Sequence, residues 1–332
     1  MLNRKFNALI VPLLLLLMAC QPIDMTALDS ANTSSDAGQA GDDAMMTQEI
    51  THELGTTTIE GVPERIVVLE YSFADNLGTL GIAPVGYAVD APPAYLSAFT
   101  EDVGATAVGK RAEPSLEAIA ALSPDLIIGD QRRHTEIYDK LSEIAPTVIF
   151  NSLRGSYQDQ LDTFEIIAGI LGKEDEAAAL LSTYEETFAA TTTEANPDAG
   201  EFIIGVLWSG GYTAHSNESF MGSFLESLGR TNALSPLEGE TQYLLELEGL
   251  ATVNPSSIII LCNPGDQGVL DELQAQPVWQ NIDAVQNGQI YLFDRNLWSK
   301  GRGLTAFETI LTDAVDSGLL AETASSNTTT CP

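Results

Sequence analysis

The chain has 332 residues, 44% of them apolar, and its 47 acidic residues far outnumber its 14 lysines and arginines, giving a formal net charge of −33. A protein that binds a nucleic-acid duplex presents a basic face to the phosphates, so this composition excludes nucleic acid as a partner. The length and the apolar fraction are sufficient for two hydrophobic cores.

The N-terminus has the pattern of a secretory signal. Arg4 and Lys5 precede the apolar run ALIVPLLLLLMA, which is too short to span a bilayer comfortably and ends at Cys20. The string LMAC resembles a bacterial lipobox, in which the cysteine is acylated. We predict a signal peptide at 1–19, lipidation of Cys20 and a flexible tether at 20–48, with the protein anchored to the cell membrane and facing the periplasm or the cell exterior. An ordinary cleaved signal with an incidental cysteine is the alternative.

Residues 49–152 are predicted to form a first α/β lobe. A hairpin at 50–60 precedes a strand at 65–70, and Ser72 with Asp75 resembles a capping box that opens a helix just after Ser72. Strand and helix patterns then alternate as far as the string TVIF, which is typical of a parallel sheet flanked by helices.

One string recurs later in the chain: SLEAIAALSPDLIIGD at 115–130 returns as ELEGLATVNPSSIIIL at 246–261. Each copy predicts a short helix, a proline that ends it and a buried strand. The recurrence favours two similar lobes; chance is the alternative, because helix, loop and strand recur throughout α/β proteins. Glu117 and Glu248 occupy the same register, which the fold alone does not require.

Two helical segments separate the lobes. The segment 157–172 has one apolar face, and 174–193 is long and contains no glycine or proline, so it is predicted to be a rigid strut. We assign 153–198 to linking helices, 199–322 to a second α/β lobe and 323–332 to an unstructured tail.

Two cysteines remain after Cys20, namely Cys262 and Cys331. An oxidising compartment permits a disulfide between them, whereas the position of Cys331 in a predicted tail argues against one. The sequence leaves both states open, and the cysteine spacing offers no metal site.

Motifs for nucleotide and zinc binding are weak. The string GATAVGKR at 104–111 approaches a P-loop, but it ends in Arg111 where a hydroxyl would hold magnesium, so no nucleotide site is predicted. A zinc site formed by the three histidines is not expected either, because His52 falls in the N-terminal hairpin. We interpret His134 and His215 as surface or helix-start residues, and His215 is also a candidate for lining a cleft.

The scarce basic residues come in clusters. Arg111 and Arg133 each follow a predicted strand, and Arg302 precedes the last helix, with Lys300 beside it. Ligands of open α/β sheets bind at the carboxyl ends of the strands, and arginine offers paired donors to a carboxylate. The clusters predict an anion-binding cleft; for any single arginine, a solubilising loop charge is the alternative.

Aromatic residues accompany these clusters and are assigned to the same cleft. Trp298, next to the last basic cluster, is predicted to form a flat apolar wall beside two cations. Tyr71, Ser72 and Phe220 are added as ligand-binding residues. Trp208 follows the strand FIIGV, and core packing is its alternative role.

Three strings resemble the siderophore-type (class III) substrate-binding proteins of ABC importers: RIVVLEYSFADNLGTLGIAPVGYA, VGKRAEPSLEAIAALSPDLIIGDQRRH and FDRNLWSKGRG. The resemblance covers about residues 50–322. It implies a class III periplasmic binding protein fold, α/β, with two Rossmann-like lobes joined by a long rigid interdomain helix and a cleft that closes only slightly. The ligand would be an iron(III)-siderophore, a ferric citrate-like anionic chelate, delivered to an ABC permease dimer with its ATPase subunits.

The resemblance also carries site residues over. The positions that match ligand-binding residues of the family are Arg111, Arg133, Arg154, Trp298 and Arg302. It further implies that Glu117 and Glu248 dock into basic pockets of the two permease subunits, whereas the alternative is an ordinary first-turn acid favoured by the helix dipole. The second lobe departs from the family pattern in WSGGYTAHSNESF, which leaves the chelate open.

Iron would arrive already wrapped in the chelator's oxygens, so no cofactor and no metal ligands from the protein are expected. We predict a monomeric binding protein and not an enzyme. A corrinoid, haem or metal ion bound by the same fold is one alternative, which a less basic cleft or converging histidines would favour. An exported hydrolase is another, but the sequence contains no GxSxG, HExxH or CxxC motif.

Overall fold

The computed structural model describes residues 47–323 and 330–332. The predicted signal at 1–19, Cys20, nearly all of the tether and most of the tail lie outside these ranges. Within them, no helix combines the length and the apolar character needed to cross a membrane.

The first lobe contains a five-stranded sheet with the strand order β5-β4-β3-β8-β9, in which every neighbouring pair is parallel. Two hairpins, β1-β2 and β6-β7, lie outside this sheet. In chain order the elements are β1 (Thr47–His52), β2 (Gly55–Glu60), β3 (Ile66–Val68), α1 (Tyr71–Thr79), β4 (Gly86–Tyr87), β5 (Thr106–Ala107), β6 (Gly109–Lys110), β7 (Glu113–Pro114), α2 (Leu116–Ala121), β8 (Leu126–Asp130), α3 (Gln131–His134), α4 (Tyr138–Ser142) and β9 (Thr147–Phe150).

The second lobe contains a mixed five-stranded sheet with the order β12-β11-β10-β13-β14. Its pairs β10-β13 and β13-β14 are parallel, and β10-β11 and β11-β12 are antiparallel. In chain order the elements are β10 (Phe202–Trp208), β11 (Gly211–His215), α7 (Phe220–Ser227), β12 (Gln242–Leu244), α8 (Leu247–Val253), β13 (Ser257–Cys262), α9 (Gln267–Gln274), α10 (Asp283–Gln286), β14 (Ile290–Asp294), α11 (Arg295–Lys300) and α12 (Leu304–Asp316).

The recurrent string occupies the same place in both lobes. In the first, α2 leads into β8, which lies between β3 and β9; in the second, α8 leads into β13, between β10 and β14. Both β8 and β13 are buried along their whole length, as expected for central strands of parallel pairs. The sequence repeat therefore corresponds to a structural repeat.

Two helices, α5 (Tyr157–Ile170) and α6 (Glu174–Thr192), connect the sheets. Tyr157 packs at their centre, with its ring centroid 5.7 Å from Phe188 of α6, 5.2 Å from Phe224 of α7 and 5.4 Å from Phe307 of α12. Buried residues of both sheets belong to this same apolar cluster. Because the lobes share one core beneath the linking helices, a wide hinge motion would expose apolar surface, and a small closure is expected.

The predicted capping box at the start of α1 is wrong. The helix begins at Tyr71, its N-cap residue is Glu70, and no side chain caps it. Ser72 Oγ instead lies 2.8 Å from Ser152 Oγ, and Asp75 reaches the second lobe. Both side chains lie inside the helix because it starts two residues earlier than the sequence suggested.

Cys262, at the end of β13, forms a disulfide with Cys331. Both residues are buried, and the Cys331 amide donates to Gln267 Oε1 at 2.8 Å. The bond links residues 69 positions apart and pins the end of the chain to the second lobe. The sequence left this pairing open because composition alone does not show where a tail returns.

Candidate functional site

A cavity of about 390 Å³ lies between the carboxyl ends of the two sheets, within the size range of small-molecule sites. Among the described residues, its lining contains five of the twelve basic residues that follow Lys5, and no carboxylate. These basic residues are Arg111, Arg133, Arg295, Lys300 and Arg302. In a chain of net charge −33, such a concentration of positive charge indicates an anionic ligand.

Glu70 joins two of these arginines. Its buried carboxylate accepts from Arg111 Nη1 at 3.0 Å through one oxygen and pairs with Arg133 Nε through the other. Glu70 follows β3, and Arg133 lies in α3 directly after β8, the neighbour of β3 in the sheet. The adjacency of the two strand ends thus places one acid between two bases and orients both guanidinium groups.

Arg111 has two further partners. Its Nε donates to Asp90 Oδ1 at 2.5 Å, and its Cζ lies 4.1 Å from the centroid of the Tyr71 ring, a cation–π contact. The Tyr71 hydroxyl donates in turn to the backbone oxygen of Asp90 at 2.6 Å. Burial alone would lower the pKa of Arg111, but the charges of Glu70 and Asp90 outweigh it and the pKa is raised. Arg111 is therefore charged and held in place by two carboxylates.

His134 helps to hold Arg111 in place through hydrogen bonds of its ring to the backbone. Its Nδ1 accepts from the Asp130 amide at 2.8 Å, so Nε2 carries the proton and donates to the Arg111 carbonyl at 2.7 Å. Burial lowers the pKa of His134, which keeps the ring neutral. The Asp130 carboxylate accepts from the amides of Arg133 and Leu153. The predicted surface position of His134 is wrong, because its ring is buried between two strand-end loops.

Arg302 differs from the other two arginines. It is 4% exposed, and within the described part of the chain it forms no ion pair and its Nε has no hydrogen-bond partner. Burial, together with the charges of Arg111 and Arg133, lowers the pKa of Arg302 to about 10 against the opposing attraction of Glu70 and Asp130, so the group is still charged at neutral pH. A buried charge is costly unless an opposite charge accompanies it. Binding of an anion next to Arg302 is therefore favourable.

Lys300 lies at the cleft edge and reaches across it. Its Nζ donates to the backbone oxygen of Ala91 in the first lobe at 2.8 Å. Burial, followed by repulsion from Arg111 and Arg295, lowers the pKa of Lys300 to about 8. The positive charge of the cleft therefore changes within the physiological pH range.

The second-lobe wall is formed by β10 and β11. Trp208, at the end of β10, is 41% exposed and donates from Nε1 to Thr213 Oγ1 at 3.0 Å, so it lines the cleft and not the core. His215 ends β11 and also lines the cavity, yet it is buried, and the predicted surface position is wrong. Burial, with the nearby Arg302 and Arg154, lowers the pKa of His215 to about 3, so its ring is neutral.

Arg154 lies on the rim and not in the cavity lining. Its guanidinium pairs with Glu240 of the second lobe at 3.6 Å, and Glu240 also lies 3.9 Å from Arg132. Beside this contact, Gln242 Nε2 donates to the Leu153 carbonyl at 3.1 Å. Besides the contact of Lys300, these contacts also link the two lobes.

Besides Arg154, four residues assigned to ligand binding do not line the cavity. Trp298 is fully buried, stacked 3.9 Å from Phe293, and its Nε1 donates to Asp313 at 3.0 Å, so it cannot form the predicted wall. Ser72, Tyr71 and Phe220 are also buried. Tyr71 and Phe220 nevertheless lie next to the site, because their rings face Arg111 and Arg302 respectively.

The residues assigned to permease docking lie away from the cleft. Glu117 and Glu248 are both exposed, and each occupies the first turn of its helix, α2 or α8. The P-loop-like string contains β5 and β6, of which β6 pairs with β7 in a hairpin, and it is not a loop that enters a helix. No group of three or more potential metal ligands lies together in residues 47–323 and 330–332.

Sequence reasoning did not select Glu70, Asp90, Asp130 or His134 as site residues, although a signal for Glu70 and Asp130 was present. Glu70 ends the string IVVLE, and Asp130, before the helix of His134, ends LIIGD. An acid at the end of a buried strand, in a chain with few bases, is a candidate partner for those bases. Asp90 lies in a loop whose sequence carries no such pattern.

A second cavity, of about 490 Å³, lies in the second lobe behind the sheet. Its lining is partly apolar, and its charged residues among those described are Glu246, Glu248 and Glu272. This cavity is larger than the interlobe cleft, but its acidic lining repels the anionic ligand that the basic cleft attracts. We therefore assign ligand binding to the cleft.

Comparison with known proteins supports the same fold. Residues 66–297 match the family model of the periplasmic binding proteins. The chain is 34% identical over 311 residues to the Fe(3+)-citrate-binding protein YfmC of Bacillus subtilis, covering 93% of this chain and 96% of that protein. It is 35% identical over 271 residues to the Fe(3+) dicitrate-binding periplasmic protein FecB of Escherichia coli, covering 80% and 88%.

Among solved structures, Staphylococcus aureus SirA complexed with staphyloferrin B superposes with a TM-score of 0.72 at 25% identity, covering 83% of this chain and all of that one. The predicted two-lobed α/β fold is confirmed by this likeness and by the two sheets. With the family match covering most of the chain, two sheets whose ends meet at a basic cleft, and two linking helices, the chain belongs to the periplasmic binding protein family.

Proposed function

We propose that this protein is the substrate-binding component of an ABC importer and captures an anionic iron(III) chelate of the ferric citrate class in the cleft between its lobes. The observation that carries this proposal is Arg302, a buried guanidinium without a carboxylate partner among the described residues. A carboxylate of the ligand would supply the missing charge, while Arg111 and Arg133, oriented by Glu70, would supply further donors.

The iron is cargo in this proposal and not a resident cofactor. A chelate brings its own oxygen ligands, so the protein has to recognise carboxylates and the outer surface of the complex. Trp208 offers an exposed ring for that surface, and the cleft lining, as far as the structure describes it, supplies donors and no acidic side chains. The relatives named for ferric citrate binding support this ligand class.

A corrinoid, haem or free metal ion is the second candidate ligand for the same fold. A free metal ion would need converging acceptors, whereas His215 is the cavity's histidine and Arg302 lies close enough to depress its pKa. The basic lining therefore favours the chelate.

A binding screen tests the proposal. Intrinsic tryptophan fluorescence of the mature protein should respond to ferric citrate, because Trp208 lines the cleft. Hydroxamate and catecholate siderophores, haem and cobalamin serve as competitors. Tight binding of haem or cobalamin without binding of any anionic ferric chelate would overturn it.

The proposed partner is a permease dimer that contacts Glu117 and Glu248. The two acids lie at equivalent positions of the two lobes and are exposed, which suits docking to two similar subunits. The double variant Glu117→Arg/Glu248→Arg should bind ligand normally but lose uptake and ATPase stimulation. Glu174→Arg, at an exposed first-turn acid of α6, controls for the helix dipole. Normal transport by the double variant would refute docking at these residues.

Anchoring is proposed through Cys20, which follows the apolar run at the N-terminus. Fatty-acid labelling of the wild type and of Cys20→Ser in a bacterial host should show label on the wild type alone. Equal labelling, or none, would contradict the lipid anchor.

The cleft is formed by one chain, so we propose that the protein is a monomer. Analytical sedimentation measures its oligomeric state.

A further inference from the structure

Asp75 is a fully buried carboxylate of the first lobe that contacts the backbone of the second. It lies in α1, and its Oδ1 and Oδ2 accept from the amides of Thr305 at 3.2 Å and Ala306 at 3.3 Å. These amides belong to the first turn of α12, where backbone donors lack partners within the helix. Asp75 therefore acts as the N-cap of a helix in the other lobe.

The N-cap residue of α12 cannot supply a capping side chain. Its N-cap residue is Gly303, which has no side chain, and a Cβ placed there would lie 2.3 Å from the carboxyl carbon of Asp75. In contrast, α2, α5 and α7 are capped by their own serines, of which Ser115 is the first. The cap of α12 is thus supplied by Asp75 of the opposite lobe, and the lack of a side chain at Gly303 leaves space for it.

The carboxylate is itself firmly held. The Tyr95 hydroxyl donates to Oδ2 at 2.8 Å, and Thr79 Oγ1 donates to Oδ1 at 3.1 Å. Thr79 Oγ1 also lies 3.1 Å from Thr305 Oγ1, which adds a second contact between the lobes. An anchored acceptor fixes the position of the helix end that it caps.

Arg302 is the residue directly before Gly303. The same helix α1 that presents Asp75 has Glu70 as its N-cap residue, and Glu70 pairs with Arg111 and Arg133. This nine-residue helix and its N-cap residue therefore supply the carboxylate that pairs with Arg111 and Arg133 and the carboxylate that caps the helix after Arg302.

We propose that Asp75 is a positioning residue for ligand binding: by capping α12 from the other lobe, it sets the place of the Arg302 guanidinium relative to Arg111 and Arg133. The inference rests on the proposed function for the identity of the ligand, but not for the position of Arg302. Binding groups have to be held within about half an ångström to act together, so a loosened cap lowers affinity without removing any ligand contact.

The variants Asp75→Ala and Asp75→Asn test this proposal with ferric citrate as the probe. Asp75→Ala removes both acceptors and should weaken binding at least tenfold at temperatures where circular dichroism shows the variant folded. Asp75→Asn keeps one acceptor oxygen and should recover part of the affinity. Ser115→Ala, which removes the in-chain cap of α2, should lower Tm but leave Kd unchanged. If Asp75→Ala does not fold, a wild-type Kd for Asp75→Asn overturns the proposal.

A double-mutant cycle with Arg302→Gln separates positioning from general stability. If Asp75 acts through Arg302, adding Asp75→Asn to Arg302→Gln should weaken binding little further, whereas independent effects would multiply. Multiplied effects would overturn the positioning role.

Crystal structures of the Asp75 variants give a readout that needs no ligand. The Arg302 guanidinium should move relative to Arg111 and Arg133; an unmoved Arg302 would overturn the inference even if ferric citrate binds. If the wild type binds no ferric chelate while Arg302 does move, the proposed function fails and the positioning role stands.

Discussion

The two lobes carry the arginines of the cleft in opposite ways. In the first lobe, Arg111 and Arg133 share the carboxylate of Glu70, and Arg111 also pairs with Asp90. In the second lobe, Arg302 has no carboxylate partner among the described residues. Paired arginines are oriented in advance but partly neutralised, whereas an unpaired one is free to gain the full attraction of a ligand carboxylate. The first lobe thus supplies donors of fixed orientation, and the second supplies a guanidinium charge that is not paired with a carboxylate of the described residues.

The sheets differ in a related way. The first sheet is parallel throughout, so acids and bases that follow neighbouring strands collect at one edge. In the second sheet, β11 runs antiparallel to β10, and β12 runs antiparallel to β11; these two strands bring His215 and Gln242 to the cleft. Neither is charged at neutral pH, since the pKa of His215 lies at about 3. The antiparallel edge therefore adds polar but uncharged lining beside Arg302.

Replacing Glu70 should have the largest effect on the free energy of unfolding, and it tests the pairing of arginines in the first lobe. Glu70→Gln leaves two buried or half-buried guanidinium groups without their shared carboxylate, and the free energy of unfolding should fall by about 3–5 kcal/mol. Urea denaturation measures it. Asp90→Asn is the control, because Asp90 is 40% exposed, and it should cost less than about 1 kcal/mol. Similar small losses for both variants would contradict this account of the first lobe.

The second lobe is stabilised by a different device, its disulfide. Replacing Cys262 and Cys331 together by serine should lower the free energy of unfolding by about 2–4 kcal/mol, because a long loop in the unfolded chain is no longer closed. Denaturation of the wild type with and without reductant gives the same comparison. A double variant as stable as the oxidised wild type would show that the disulfide does not stabilise this lobe.

Comparing Arg302→Gln with Arg133→Gln sharpens the contrast between unpaired and paired bases. Both should weaken the binding of ferric citrate at least tenfold, about 1.4 kcal/mol, and Arg302→Gln should weaken it more. The reason is that Glu70 already offsets part of the charge of Arg133. Calorimetric titration measures both constants. A larger loss for Arg133 would reverse the roles assigned to the lobes, and no loss for either would remove the anionic pocket.

The smallest expected effect concerns pH. The pKa of Lys300 is lowered to about 8, so its charge is present below that pH and is lost above it. Affinity for an anionic chelate should therefore fall as pH rises from 7 to 9, by about two- to fivefold, as for a half-exposed ion pair. Lys300→Gln corrects for changes in the chelate itself. An identical pH profile for wild type and variant would exclude Lys300 as the titrating group.

Much of the fold was predictable because it follows from local patterns. The repeated strings at 115–130 and 246–261 form equivalent helix–strand units, and the long segment after 174 is helical. Apolar periodicity and a helix-ending proline act over a few residues, so they are visible in one dimension. The capping box at Ser72 was wrong because the same residue types also make contacts between distant elements.

The site was predictable in its charge but not in its partners. Arg111, Arg133 and Arg302 were selected because bases are scarce, and all three line the cavity. Trp298 was selected because it stands beside Lys300 in sequence, but a helix turns successive side chains to different faces, and its ring points into the core. Adjacency in sequence is therefore a weak guide to a shared surface inside a helix.

By itself the sequence determined the charge, the two α/β units, the linking helices and the basic strand ends, since each depends on composition or on short-range periodicity. Only the tertiary structure decided which bases are neutralised, which histidines are buried, and that Asp75 caps a helix from the other lobe. The pairing of Glu70 with Arg133 joins residues 63 positions apart, and that of Asp75 with Ala306 joins residues 231 apart. Such contacts depend on which strands and helices become neighbours, and the free energy of a charge depends on those neighbours and not on its place in the chain.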